Sequence, residues 1–276
     1  MPAKHALKIC LLLCLLVGSL LACNVAVPNI SISGTQVITP PGVTGTQLPL
    51  GQWKQAKPGV EVQYANWKAP SGHQDTVIIT RFNLHQVHLY VGYQPNNPLT
   101  LSDWMKQTGA TAIINGGYFD TNNQATGLIV SNGQASGTSY TDQGGMLSVN
   151  TQGAVAITSL IQHPFDGDTN QLEQATQCAP MLMVNGKETQ FDDNAAQRRR
   201  TVVAMDKDGN LLFIVSPSDA FTVTDMADLL ASHTELNIQT ALNLDGGSST
   251  GIYLNGGNTK VALDPISSLP IVVYVK

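Results

Sequence analysis

Short apolar segments separated by turn-forming residues run through most of the chain and constrain its fold more than any other feature. Most have the length of a strand and are rich in Val and Ile, which favour extended backbone. They lie at 76–80, 87–93, 111–115, 127–131, 146–149, 154–158, 181–184, 202–206, 211–216, 241–244, 251–254 and 270–275. The pattern predicts a strand-rich chain, with hairpins at the turn residues 206–210 and 185–186.

Two segments predict helices against this β background. Residues 102–108 follow capping hydroxyls and precede Gly109, while residues 224–232 follow Thr222 and place Met226, Leu229 and Leu230 on one stripe. Each helix comes one short loop before a strand that ends in glycines. We therefore predict an α+β fold: a mixed, strand-rich sheet with two helices packed on one face.

Composition excludes one class of partner. The 276 residues can bury a sizeable core, yet only 12% are charged, the formal net charge is −5 and the isoelectric point is about 5.6. No long run of Lys or Arg occurs. Since binding to a phosphate backbone needs a basic surface, nucleic acid is not an expected partner.

The first residues have the organisation of a secretion signal. Basic residues precede the apolar stretch 9–17, which is too short to span a bilayer comfortably, and Leu20-Leu21-Ala22-Cys23 follows. This ending resembles a bacterial lipobox. It predicts that 1–23 is a lipoprotein signal peptide and that lipidated Cys23 anchors the protein to a membrane, extracytoplasmically, in a bacterial cell envelope. Ordinary secretion with cleavage nearby, or an uncleaved N-terminal anchor, are the alternatives.

The remaining chain divides into a tether and a domain. Residues 24–52 are rich in Pro, Gly, Thr and Ser and lack a usable apolar period, which is typical of a flexible tether, so the folded domain is predicted to span 53–276. After lipidation of Cys23, only Cys178 would remain in this domain. An intrachain disulfide is then excluded, and we expect Cys178 to be a buried small hydrophobe.

Two strand-like segments end in polar residues and paired glycines. Ala241–Leu244 runs into Asp245, Gly246 and Gly247, and Ala112–Ile114 runs into Asn115, Gly116 and Gly117. Glycine lets backbone N–H groups approach a ligand closely, so a strand followed by two glycines often marks a bound anion or sugar. The alternative is that both segments are β-turns after buried strands.

Five motifs in this order resemble those of the phosphodiester glycosidase family. They are Ile114–Asp120, Ala179–Lys187, Arg200–Asp206, the helix at 222–231, and Ala241–Thr250. Together they extend over about 58–276, and the resemblance implies that family's fold and the hydrolysis of a sugar joined through a phosphodiester. The chain departs from the pattern at Arg199, where relatives often have Pro, and at Leu269, in a stretch where many relatives carry Arg before Pro.

The resemblance implies roles for the residues of these motifs. Asp245 is the preferred carboxylate at the anomeric carbon, Arg200 the phosphate partner, and Asn115 a partner of sugar hydroxyls or an N-acetyl group. The predicted substrate-binding residues are Gly116, Gly117, Tyr118, Thr201, Gly246, Gly247, Ser248 and Ser249. Asp120 and Asp264 rank below Asp245 as second carboxylates, because each lies beside a turn signal that explains an acid without catalysis.

Each of these residues also has a structural interpretation. Asp245 would cap its own turn, Arg200 and its two neighbouring arginines would be surface charges, and Tyr118 would pack in the core. We predict an extracytoplasmic hydrolase of glycosyl phosphodiesters acting on cell-wall or surface glycans. The alternative is a non-catalytic glycan-binding or envelope lipoprotein of the same fold, which Leu269 favours. No cofactor is expected, and participation of a metal ion stays open.

Overall fold

Antiparallel pairing organises the strands of the computed structural model, which describes residues 36–190 and 196–276. The strands are β1 (Val37–Ile38), β2 (Thr44–Gly45), β3 (Leu48–Pro49), β4 (Lys54–Lys57), β5 (Val60–Lys68), β6 (Gln74–Phe82), β7 (Leu89–Tyr93), β8 (Ala112–Asn115), β9 (Ile129–Ser131), β10 (Gln134–Ser136), β11 (Gly145–Asn150), β12 (Val155–Ser159), β13 (Leu172–Cys178), β14 (Met181–Val184), β15 (Lys187–Glu188), β16 (Arg198–Asp206), β17 (Leu211–Phe221), β18 (Ile238–Asn243), β19 (Ile252–Gly256), β20 (Thr259–Leu263) and β21 (Ile271–Val275). The helices are α1 (Leu101–Thr108) and α2 (Val223–Ser232), with 3-10 turns at Thr169–Gln171, Thr234–Leu236 and Gly247–Ser249.

Two large sheets carry the strands that end in glycines. The eight-stranded sheet has the order β15-β14-β18-β16-β17-β6-β5-β4, and the six-stranded sheet has the order β2-β20-β19-β8-β21-β7. A five-stranded sheet, β10-β9-β13-β11-β12, and the pair β1-β3 complete the described strands. The strand before Asp245, β18, therefore lies in one large sheet, and the strand that ends at Asn115, β8, lies in the other.

The core lies between the two large sheets. Apolar side chains from both sheets form one buried cluster, which includes Val62, Ile78, Phe82, Phe213 and Leu242 from the first sheet and Ile114, Ile252, Leu254, Val261 and Val273 from the second. The five-stranded sheet adds Leu147, Ile157 and Cys178 to this cluster. Cys178 is fully buried with a free thiol, as its sequence context predicts.

Each helix covers the outer face of a different large sheet. Met226, Leu229 and Leu230 of α2 pack on the eight-stranded sheet, and Leu101 and Trp104 of α1 pack on the six-stranded sheet. The α+β class with two helices is confirmed, but the helices do not share one face. The reason is alternation: strands in both sheets carry apolar residues on both sides, so each outer face needs its own cover.

Capping residues set the ends of both helices. The Thr100 hydroxyl accepts a hydrogen bond from the N–H of Asp103, and Gly109 ends α1 with a φ of 65°. Thr222 and Asp225 form a reciprocal capping box at the start of α2. The bounds of both helices agree with the sequence-based prediction to within one residue. Among the described residues, no helix is long and apolar enough to span a bilayer.

The folded part begins earlier than the predicted boundary at residue 53. Strand β1 pairs with β3, β2 pairs with β20 of the six-stranded sheet, and Leu48 is 2% exposed in the inter-sheet core. The Tyr64 hydroxyl also donates a hydrogen bond to the Thr46 carbonyl, at 3.2 Å. The tether prediction is therefore wrong from about Val37 onwards, because a few apolar side chains suffice to anchor this segment. The rest of the predicted tether, the signal peptide 1–23 and Cys23 lie outside the described residues.

The packing of the inter-sheet core predicts a large effect for one truncation. Ile78 is fully buried between the sheets, so Ile78→Ala should lower the free energy of unfolding by about 2–5 kcal/mol. Ile161, which is 65% exposed, is the matched control, and Ile161→Ala should change stability by less than about 0.5 kcal/mol. Urea denaturation measures both, and equal effects would contradict this description of the core.

Candidate functional site at the ends of two strands

Strands β8 and β18 end side by side although they belong to different sheets. The Asn115 side-chain amide donates to the Asp245 carbonyl at 2.6 Å, and the Asp245 N–H donates to the Gly116 carbonyl at 3.2 Å. The Leu244 N–H donates to the Thr201 carbonyl of β16 at 2.8 Å. Three predicted motifs, at 115–118, 200–201 and 245–249, are thus brought together by hydrogen bonds between residues far apart in sequence.

Asn115 is the hub of this junction and is only 1% exposed. Its side-chain carbonyl accepts from the Thr201 hydroxyl at 2.7 Å and from the Gly251 N–H at 3.3 Å, while its amide donates to the carbonyls of Asp245 and Gly116. All hydrogen-bonding positions of the side chain are used within the protein. The prediction that Asn115 contacts the sugar is therefore wrong, because Asn115 instead holds the Asp245 backbone in place.

Thr201 needs the same correction. Its side chain is fully buried and donates to Asn115, so it offers no surface to a substrate. Thr201 therefore supports the site indirectly, through its hydrogen bond to Asn115.

The first glycine pair is required by packing between sheets. A Cβ at Gly117 would collide with the Gln177 carbonyl and would lie 3.0 Å from the Thr176 hydroxyl, and a Cβ at Gly116 would collide with Ile271. Both glycines are buried. Close approach of β13 and β21, not approach of a ligand, explains this pair, which removes Gly116 and Gly117 from the predicted binding surface.

The second glycine pair forms an accessible turn. Gly247 has a φ of 59°, and the nearest atom to a Cβ built there would be Arg198 Cδ at 3.7 Å. Gly246 and Gly247 are half-buried, and Ser248 is exposed, while Ser249 is buried. This turn, together with the Asp245 side chain, is the part of the junction that a ligand can reach.

The Asp245 carboxyl lies at the inner edge of this turn. It is half-buried and accepts a hydrogen bond from the Gly246 N–H at 2.9 Å. Burial raises the pKa of Asp245, and hydrogen bonds from the Ser249 side chain and the Gly246 N–H oppose that rise without cancelling it. A carboxyl with a raised pKa is a stronger base than an ordinary aspartate, which suits it to chemistry at neutral pH.

The arginines at the start of β16 line the same turn. A Cβ built on Gly246 would lie 3.9 Å from Nη1 of Arg200 and 2.9 Å from the carbonyl of Arg199. Arg200 is 7% exposed, and its Nε and Nη2 donate to the carbonyls of Phe221 at 2.9 Å and Ala196 at 2.7 Å. The interpretation of Arg200 as a surface charge is excluded by its burial. Exposed Arg198 flanks the turn from the solvent side.

Tyr118 closes the opposite side of the junction. Its hydroxyl donates to the Ala179 carbonyl at 2.8 Å and accepts from the Asn243 amide at 3.4 Å, and its ring packs against the inter-sheet core. Burial raises the pKa of Tyr118, Cys178 and Asp245 raise it further, and Arg200 opposes the rise. Any sugar contact must use the half-exposed part of the ring.

The lower-ranked carboxylates lie in loops. Asp120 is exposed and accepts hydrogen bonds from the N–H groups of Asn122 and Gln124, both at 2.8 Å, so it caps its own loop. Asp264 is exposed and accepts from the Tyr253 hydroxyl at 2.6 Å, while its carbonyl accepts from Arg199 at 2.9 Å.

Leu269 is a core residue. It is fully buried beside Trp104 of α1, whose indole N–H donates to the Leu269 carbonyl at 2.8 Å. Its side chain therefore does not line the Asp245 turn.

Sequence reasoning missed a polar cluster next to Arg200. His73 Nδ1 lies 3.0 Å from Asp225 Oδ2, the Ser71 hydroxyl bonds both residues, and Gln197 contacts His73 Nε2. His73 and Asp225 are 152 positions apart, so no local spacing could have revealed the pair. The one available signal was Asp225 itself, three residues after the Thr222 cap. Within residues 36–190 and 196–276, no three His, Cys, Asp or Glu side chains are grouped as metal ligands.

The fold and the junction define a class: an α+β protein with a strand-end carboxylate facing a glycine turn and a buried arginine. The sequence profile of the phosphodiester glycosidase family matches residues 108–273, more than half of the chain. The chain therefore belongs to the phosphodiester glycosidase family.

Several solved structures, including the following two, have similar folds. One is the catalytic domain of zebrafish N-acetylglucosamine-1-phosphodiester alpha-N-acetylglucosaminidase, auto-inhibited by its pro-peptide, with a TM-score of 0.63 and 20% identity over 84% of this chain and 87% of that one. The other is a hypothetical protein from Synechocystis, with a TM-score of 0.56 and 17% identity over 79% of this chain and 62% of that one. No curated protein matches the chain by sequence.

The raised pKa of Asp245 predicts how its removal changes stability. A carboxyl whose folded-state pKa is raised contributes stability below the pKa of the unfolded chain, near about 4, and loses it as the pH rises through the folded-state pKa. Asp245→Asn should therefore raise the free energy of unfolding near neutral pH, and this gain should shrink as the pH falls through the folded-state pKa and be absent below about 4, where the aspartate is protonated in both states. Urea denaturation across this pH range measures the difference.

Asp225→Asn is the matched variant with the opposite sign. Burial acts to raise the pKa of Asp225, but hydrogen bonds from Ser71, His73 and Thr222 lower it overall. Its ionised form stabilises the fold above the unfolded pKa, and that stability is lost as the pH falls. Asp225→Asn should lower stability near neutral pH. A shift in the same direction for both variants would contradict the two environments described.

Proposed function

We propose that this protein is a hydrolase that cleaves a glycosyl phosphodiester, in which a sugar is joined to phosphate at its anomeric carbon. The observation that carries the proposal is that Asp245 and Arg200 both lie next to Gly246: the Asp245 carboxyl accepts from its N–H at 2.9 Å, and a Cβ built on it would lie 3.9 Å from Nη1 of Arg200. Membership of the phosphodiester glycosidase family supports the same substrate class. The site thus offers one carboxylate and one guanidinium to a substrate that needs both.

The chemistry of the substrate explains this small set of groups. Phosphate leaves an anomeric carbon far more easily than an alcohol does, so the demand for a general acid is reduced. What remains is an oxocarbenium-like transition state that needs a nearby carboxylate, and a departing phosphate that needs positive charge. Asp245 meets the first requirement, as nucleophile or as base for water, and Arg200 meets the second.

The half-buried position of Asp245 strengthens its part in this reaction. Burial makes its interaction with developing positive charge stronger than it would be in water, and the hydrogen bond from the Gly246 N–H orients the carboxyl. Asn115 fixes the backbone carbonyl of the same residue from below. A carboxylate that is held through both its backbone and its side chain has few unproductive orientations available to it.

We expect Asp245→Asn to reduce kcat for release of sugar from a sugar-1-phosphodiester by about 10²- to 10⁴-fold, because the amide is neither a base nor a nucleophile. Asp208→Asn is the matched control, since Asp208 is exposed in the β16–β17 turn. The measurement is sugar release by purified protein from a panel of such diesters. Release of no sugar from any diester, or full activity of Asp245→Asn, would refute the mechanism.

The phosphate partner has its own prediction. Arg200→Lys should lower kcat/KM by about ten- to a hundred-fold, because lysine cannot keep both carbonyl contacts and also present a planar fork to phosphate. Arg81→Lys is the control, since Arg81 pairs with Glu61 on strands β6 and β5. Equal effects of the two substitutions would contradict phosphate recognition by Arg200. Tight glycan binding without turnover, unchanged by Asp245→Asn, would instead support a non-catalytic glycan-binding lipoprotein.

We propose further that the enzyme acts outside the cytoplasm of a bacterium, anchored by lipid, on cell-wall or surface glycans. The support is the sequence Leu20-Leu21-Ala22-Cys23 after a short apolar stretch. A lipid on Cys23 would hold the domain at the membrane surface that faces such polymers.

Cys23→Ser should move the protein expressed in bacteria from the membrane fraction to the soluble fraction, because the acceptor of the lipid is removed. Cys14→Ser, a change of the same type within the predicted signal, should leave it in the membrane fraction. Fractionation followed by immunoblotting measures both. Retention of Cys23→Ser in the membrane would favour an uncleaved N-terminal anchor.

A further inference from the structure

The orientation of the Arg200 guanidinium depends on two backbone carbonyls. Its Nε donates to Phe221 at 2.9 Å and its Nη2 donates to Ala196 at 2.7 Å. A guanidinium is a rigid plane, so two fixed N–H groups determine the direction of the others. Whatever holds these two carbonyls therefore determines where Arg200 can present itself to a phosphate.

The first carbonyl is fixed through Asp225. The carbonyl of Phe221 and the N–H of Thr222 belong to one peptide unit, and that N–H donates to Asp225 Oδ2 at 3.0 Å. The Thr222 hydroxyl in turn accepts from the Asp225 N–H at 3.0 Å. The capping box of α2 thus orients the peptide that binds Arg200 Nε.

The second carbonyl is fixed through His73. Ala196 is joined by one peptide unit to Gln197, whose side-chain amide contacts His73 Nε2. The other ring nitrogen of His73 lies 3.0 Å from Asp225 Oδ2, and the side chain of Asp225 is only 5% exposed. One histidine–aspartate pair therefore connects to both carbonyls that hold Arg200.

The cluster has the composition of a hydrolytic triad but a different geometry. Ser71 lies 3.0 Å from His73 Nδ1, the same nitrogen that faces Asp225, and Gln197 occupies the side of Nε2. In a Ser-His-Asp triad the serine and the aspartate bind opposite ring nitrogens, so that a proton can pass from the serine to the imidazole. His73 is therefore not placed to activate Ser71 as a nucleophile.

We propose that His73 and Gln197 are positioning residues that align Arg200 for recognition of the substrate phosphate. This inference rests on the proposed function, in which Arg200 receives the phosphate. Without the contact between His73 and Gln197, the Ala196 carbonyl is no longer held, and the hydrogen bond from Arg200 Nη2 to that carbonyl loses its fixed direction. The carboxyl of Asp245, on the other side of the turn, keeps its own hydrogen bonds.

The experiment measures binding of inorganic phosphate by calorimetry and steady-state hydrolysis of a sugar-1-phosphodiester, both on the whole protein. Gln197→Ala and His73→Ala should each weaken phosphate binding by about ten-fold and raise KM more than they lower kcat. The double variant should be no weaker than the stronger single variant, because both changes break one contact. Gln162→Ala and His163→Ala, exposed residues of the same types after β12, are the controls and should bind phosphate like the wild type.

Gln197→Ala is the decisive variant, because it leaves the Asp225 capping box intact even if His73→Ala loosens the start of α2. The inference is overturned if folded Gln197→Ala binds phosphate with the affinity of the wild type. It is also overturned if Arg200→Lys binds phosphate as tightly as the wild type does. Phosphate binding that requires Arg200 and Gln197, in a protein that releases sugar from no diester, supports the positioning role while the proposed function fails.

Discussion

The fully bonded side chain of Asn115 is the interaction on which the arrangement of this protein depends. One amide group joins the end of β8, the Thr201 hydroxyl of β16, the carbonyl of Asp245 and the N–H of Gly251. These contacts link the two large sheets at the ends of β8 and β18. The candidate site therefore lies directly beside the inter-sheet core. Because the side chain is buried, each partner would lose its hydrogen bond without access to water if Asn115 were removed. The position of the carboxyl is therefore a consequence of how the sheets are joined.

The site itself is built from groups with different degrees of freedom. Backbone groups bind the carboxyl of Asp245 and the guanidinium of Arg200, whereas the glycine turn next to both residues carries no bulky side chain. Such a combination of a rigid frame and a small open turn lets a ligand approach the backbone without a rearrangement of the fold. The two glycine pairs differ in their surroundings for the same reason. Gly116 and Gly117 allow neighbouring strands to approach closely, whereas Gly246 and Gly247 leave space that a substrate can occupy.

Sequence patterns predicted the apolar strands and both helices because burial on a regular face leaves a period in the sequence. They missed β4, β5, β13 and β20 among others; in β13 the buried polar residues Gln174 and Gln177 interrupt that period while bonding to neighbouring backbone. The meeting of Asn115, Arg200 and Asp245 was predictable from the order of the motifs, but the role of Asn115 was not. A buried asparagine that binds the protein and an exposed one that binds a sugar are identical in sequence. Likewise, the partnership of His73 with Asp225 exists only in three dimensions.

The short strand β2 has a consequence for how this fold avoids self-association. It pairs with β20 at one edge of the six-stranded sheet, where Gly45 approaches the Lys260 carbonyl so closely that no side chain would fit. A sheet edge with unpaired N–H and carbonyl groups is a template for another chain, and a two-residue strand is too short to extend that template far. A chain that began at Trp53, where composition alone suggests that the domain starts, would uncover the edge of β20. We therefore expect a chain shortened in this way to be more prone to intermolecular strand pairing.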